Sequence, residues 1–129
     1  MVVHMSDLST LPDFYGLDGA SQEAVANAES KLGLSFAQDY RDYVATYGIA
    51  SANGHELTGI TKADRLDVVK VTLGERKISE AVDASWYVIE RIGIDGATAW
   101  QDQDGRVFVT IGGIHPKLVA PSLFDYLMQ

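Results

Sequence analysis

The chain has 129 residues, no cysteine, and a net charge of −8 from 18 acidic and 10 basic residues. The length suits one domain with a real core, and the missing cysteines exclude disulfides, zinc–thiolate sites and thiol nucleophiles, which fits a reducing, cytoplasmic setting. The acidic balance disfavours nucleic acid and anionic membranes as partners, whereas a basic protein would be steered in at long range.

No apolar run approaches the roughly 20 residues that span a bilayer. The opening, MVVHMSDLST, lacks the basic start and apolar stretch of a signal peptide. Residues 1–4 read as a cloning remnant ahead of an initiator at Met5, so the expected domain spans residues 5–129.

SQEAVANAESKLG predicts a first helix over 22–32. Ser21 is its N-cap, Glu23 complements the helix dipole, Val25, Ala28 and Leu32 recur at helical spacing, and Gly33 ends it. SFAQDYRDYVATYG predicts a second helix over 36–47. Ser35 and Gln38 have capping-box spacing, and Phe36, Tyr40, Tyr43, Val44 and Tyr47 form an apolar stripe closed by Gly48. Asp39 and Asp42 are three residues apart and outside that stripe, so an exposed acidic ridge is expected.

HELTGI is a candidate strand. Residues 64–76 suit either state. Leu66, Val69 and Leu73 fit a helix capped near Thr61, VVKVT fits a strand, and the length and charge of the window favour helix. From Trp86 the texture becomes β-type. WYVIERIGI, ATAWQ and RVFVTI are separated by Asp95-Gly96 and by DQDG at 102–105, which predicts an antiparallel meander over 86–111. PSLFDYLMQ predicts a short terminal helix docking Leu123, Phe124 and Leu127 on the sheet. Helices first and strands later favour α+β over parallel α/β.

Chemical motifs are sparse. Asp102-x-Asp104-Gly105 has the start of a calcium loop, but Val107, Phe108, Val109 and Ile111 follow where further ligands are needed. A hairpin turn with solvated acids explains it better. His55 and His115 are 60 residues apart, and both read as exposed loop residues rather than metal ligands or general bases. Nucleotide-binding and nucleophile-elbow motifs are absent. Of the two tryptophans, Trp86 is expected in the core and Trp100, beside the acidic turn, on the surface.

The run LGLSFAQDYRDYVATYGIAS resembles the SUKH superfamily, whose members include fungal cell-wall regulators and many bacterial immunity proteins. Leu32-Gly33, Asp39-Tyr40-Arg41, Val44 and Tyr47-Gly48 stand at the family's N-terminal positions. Trp86, Gly93, Asp95, Gly96, Asp104, Gly105, Val107 and Phe108 are similar to its hairpin block. Ser35-Phe36 replaces the usual Leu-Pro, and Ile49 replaces a second glycine.

The resemblance implies an α+β domain in which a small antiparallel sheet is flanked by N-terminal helices and a short C-terminal helix. It also implies binding rather than catalysis, with no cofactor or metal. The expected function is an immunity protein that covers a basic, nuclease-type toxin domain by mimicking phosphate with Asp39, Asp42, Asp102 and Asp104, beside Trp100. The alternative is a regulatory or scaffold module with endogenous partners. Oligomeric state is left open.

Overall fold

The computed structural model describes residues 5–79 and 82–129; residues 1–4, read as a cloning remnant, lie outside them. A 3-10 helix, Met5–Thr10, leads in and buries Leu8. Helix α1, Gln22–Leu32, has the expected bounds. Ser21 Oγ accepts from Ala24 N–H at 3.1 Å, and Gly33, at φ 67°, closes the helix. There Leu34 N–H returns to Glu29 O and Gly33 N–H to Ser30 O, satisfying carbonyls that would otherwise lack donors.

Helix α2, Gln38–Tyr47, starts two residues later than its apolar stripe suggests, and the Ser35–Gln38 capping box does not form. The reason is tertiary. Phe36 N–H donates to Glu29 Oε2 at 2.8 Å, and Ala37 N–H donates to Tyr87 Oη at 2.9 Å. Groups from α1 and the sheet thus take the place of a local cap. Tyr40, Tyr43 and Val44 are fully buried. Gly48 follows at φ 69°, where any Cβ would lie 2.5 Å from Asp18 O, so the turn out of α2 needs glycine on both conformational and steric grounds.

Three short strands form one antiparallel sheet in chain order: β1, Tyr15–Gly16; β2, Ala50–Ala52; and β3, His55–Glu56. Only the first two residues of HELTGI are strand. Helix α3, Val68–Arg76, resolves the ambiguous window as helix. Its N-cap is Asp67, accepting from Lys70 N–H, rather than Thr61, which accepts from Ala63 N–H instead. Starting there turns Val68, Val71 and Thr72 inward and leaves Leu73 exposed.

The second sheet is a four-stranded antiparallel meander: β4, Tyr87–Arg91; β5, Ala97–Gln101; β6, Val107–Ile111; and β7, Ile114–Ala120. The sequence reading stops at Ile111. The structure adds β7 through a Gly112-Gly113 turn with both φ positive. Pro116 lies within β7, an edge strand, at the register irregularity between the Val109–Lys117 and Ile111–Ile114 pairs, a position where proline is tolerated. Helix α4, Leu123–Leu127, closes the chain with Leu123 and Leu127 buried and Phe124 packed at the core margin. These elements make an α+β fold.

One face of the meander carries Tyr87, Ile89, Ala99 and Val107 into a core shared with α1, α2 and α4. The other carries Val88 and Trp100 against Val71 of α3. Thr72 Oγ1 accepts from Val88 N–H there at 3.0 Å.

Candidate partner-binding surface

Asp102 organises the β5–β6 turn. It is 4% exposed. Its Oδ1 accepts from Asp104 N–H and Arg106 N–H, and its Oδ2 from Arg106 Nε at 2.7 Å. Gly105, at φ 96°, donates its N–H to Asp102 O. The carboxylate is therefore an internal turn former, which corrects the expectation of a solvated acid. Asp104 keeps a 75% exposed side chain, 3.5 Å from Arg106 Nη2.

Asp39 does not share an exposed ridge with Asp42. Its Oδ1 accepts from Gln101 Nε2 at 3.0 Å and its Oδ2 from Leu123 N–H at 2.9 Å. Burial pushes its pKa up, against the opposing pull of the Leu123 and Gln101 donors. Gln101 Nε2 also donates to Gly105 O, while Gln101 Oε1 accepts from Tyr87 Oη at 2.6 Å. One buried amide thus ties the start of α2 to β4 and the hairpin turn, and Asp39 extends the tie to α4. Asp42 is exposed and accepts from Gln38 Nε2.

Trp100, not Trp86, is the deeply buried tryptophan, which corrects the expectation of an exposed Trp100. Trp100 is fully buried, with its indole N–H donating to Thr110 Oγ1 at 3.0 Å. It pairs with Val88 across the face that α3 covers. Trp86 is half-buried, stacked on Phe108 at 4.2 Å and 11°. That pair is the accessible aromatic feature of the sheet.

A polar cluster went unread in the sequence. Glu90, 6% exposed, accepts from Tyr126 Oη at 2.5 Å and Glu56 N–H at 2.7 Å, and contacts His55 Nδ1 at 2.8 Å. His55 is half-buried rather than a free loop residue; its Nε2 meets Gln129 O, and its ring lies 4.8 Å from that of Tyr126. Burial, reinforced by Glu90, drives the Tyr126 pKa far up. This arrangement holds β3, β4 and α4 together. A cavity of about 460 Å³ nearby is lined by Glu56, Arg65, Glu75, Arg91 and Gly113, with none of His55, Glu90 or Tyr126 in its wall. Among the described residues, no group of three or more His, Cys, Asp or Glu could hold a metal ion.

Surface charge is unevenly neutralised. Of the ten bases, Arg41, Arg65, Lys70, Arg91 and Arg106 are held by carboxylates of the same chain. Asp13, Asp18, Glu23, Asp42 and Asp95 are exposed and make no ion pair among the described residues. No described helix is long and apolar enough to cross a membrane.

Comparison with known proteins starts from the fold. A crystal structure of a protein from Pseudomonas syringae pv. tomato superposes with a TM-score of 0.75 at 12% identity, covering 96% of this chain and 92% of that one. At that identity the likeness speaks for the fold. No curated protein matches. The profile of the SUKH_5 family, described as SMI1-KNR4 cell-wall, matches residues 4–129. The two-helix start, the meander and a profile match of that extent agree, and the chain belongs to the SUKH_5 family.

Proposed function

We propose that this chain is a cytoplasmic, non-enzymatic immunity protein that binds and neutralises a basic, nuclease-type toxin domain. The family includes toxin-immunity proteins and generally acts by binding. The observation that carries the reading here is the surface charge. Half of the bases are already neutralised internally, while a set of exposed carboxylates stays unpaired. Such a surface attracts a cationic active cleft and speeds encounter. In this reading Asp42 and Asp104 touch the partner. Asp39, Asp102 and Trp100 act from beneath, by fixing the helix start, the turn and the sheet that present them.

The test begins with capture from lysate of the source organism using the tagged chain. The captured protein is then expressed alone and together with this chain. Toxicity alone and growth on co-expression support immunity; harmless partners refute it. Asp42→Lys with Asp104→Lys should slow association with the toxin at least about tenfold at low salt, with little change in dissociation. The family's cell-wall description favours a second reading, a regulatory module, for which the captured partners would be endogenous and non-toxic.

A further inference from the structure

We propose that the chain pairs with a second copy of itself through the turn end of the four-stranded sheet. The strand register places Ala97 opposite Ile111, and Ile111 opposite Ile114. One rung beyond the Arg91–Thr98 pair, Ile92 N–H donates to Ala97 O at 3.0 Å. Side chains alternate between sheet faces, so Ile92, Ala97, Ile111 and Ile114 form one row across all four strands. The row lies on the face that carries Ala99 and Val109 into the core; Ala97 within it is 8% exposed, and its isoleucine neighbours stand out to solvent. Ile111 and Ile114 are 52% and 53% exposed, Ile92 is 36% exposed, and Ile94 in the adjoining turn is 69% exposed.

The row is held in place before any partner arrives. Asp95 and Gly96, at φ 55° and 69°, close the four-residue connection between Ile92 and Ala97 through Ala97 N–H to Ile94 O, and Gly112 and Gly113, at φ 62° and 78°, make a two-residue hairpin turn. Gly112 N–H donates to Gly96 O at 3.2 Å, joining the two turns. A rigid apolar strip of this kind loses little entropy on association.

Charge selects the occupant. Asp95 stands in the turn at the β4–β5 end of the row. Lys117, opposite Val109 on β7, stands on the same face at the other end. Both are exposed, and neither makes an ion pair among the described residues. A twofold contact must be self-complementary. Laid antiparallel on a second copy, the row packs isoleucine on isoleucine and sets Asp95 of each copy beside Lys117 of the other. A purely basic or purely acidic partner would satisfy only one end. Four isoleucines from each copy make a small contact, and a weak dimer with a Kd in the micromolar range is expected.

Sedimentation equilibrium of the full chain, from about 5 to about 300 µM, brackets such an affinity. A reversible monomer–dimer equilibrium is expected. Ile111→Thr with Ile114→Thr, which keeps β-branched residues on the strands, should weaken it at least about tenfold. Asp95→Asn, tolerated at positive φ, and Lys117→Gln should each weaken it about two- to fivefold, and the double variant no more than either alone. A monomer throughout the range overturns the proposal, as does a threonine variant that folds and dimerises like the parent. Additive effects of the two charge variants overturn the twofold register. Should the threonine variant fail to fold, as read by circular dichroism, the charge pair decides.

Discussion

Asp39 and Gln101 are 62 residues apart in sequence and meet in a 3.0 Å hydrogen bond beneath the β5–β6 turn. Through it, an acid at the start of a helix becomes part of the scaffold that shapes a hairpin.

Asp39→Ala leaves the Leu123 N–H and the Gln101 amide without their acceptor. The expected loss is about 2 kcal/mol at neutral pH, measured by urea unfolding. Its pH dependence has a definite sign. Because burial raises the pKa of Asp39, the folded state holds the proton to higher pH than the unfolded state. The stability difference between parent and variant should therefore shrink as pH rises from about 3.8 through the raised folded value, and then level off. A difference that grows over that window would show that Asp39 is not desolvated.

Asp102 and Asp104 look alike in sequence and should behave oppositely. Asp102→Ala removes three accepted hydrogen bonds from the turn and should cost about 2 kcal/mol. Gly105→Ala, at φ 96°, should cost about 1 kcal/mol or more. Asp104→Ala should leave the thermal melt unchanged and alter only partner association. Equal melts for Asp102→Ala and Asp104→Ala would refute the turn assignment.

The tryptophans can be separated by fluorescence. Trp86→Phe leaves Trp100, whose emission should be blue-shifted and resist iodide. Trp100→Phe leaves Trp86, whose emission should be quenched readily. Trp100→Phe should also cost about 2 kcal/mol, since packing and the bond to Thr110 are both lost. Iodide quenching of Trp100 in the folded chain would restore the sequence expectation.

Glu90→Gln keeps the shape of the side chain but places an amide donor among groups that need acceptors. A loss of about 1–3 kcal/mol is expected in thermal or urea unfolding. An unchanged melt would mean that Tyr126 and Glu56 N–H find other acceptors.

What could be read in advance followed the range of the signals. Helix α1 was legible because Ser21, its apolar spacing and Gly33 act within a few residues of one another. The start of α2 was not, since its donors are satisfied by Glu29 and Tyr87. Strand β7 was missed because Pro116 argues against a central strand, and only the sheet order shows it to be an edge. The tryptophans were misplaced because both lie on the α3 side of the sheet, and only the position of α3 decides that Trp100 is fully covered and Trp86 half-covered. Asp39 and Asp102 have the residue type of surface acids; their burial depends on partners such as Gln101 and Leu123, or on the turn closing around them. The family resemblance reached the fold through locally patterned blocks, whereas the candidate surface depends on how those blocks meet.

The bond from Leu123 N–H to Asp39 spans 84 residues, and it bears on biosynthesis. While the chain is being translated, α1 and α2 emerge early, but the second acceptor oxygen of Asp39 has no donor until Leu123 has left the ribosome. Glu29 already ties α1 to the start of α2 through Phe36 N–H and Arg41, but the bonding around Asp39 is complete only once α4 is in place.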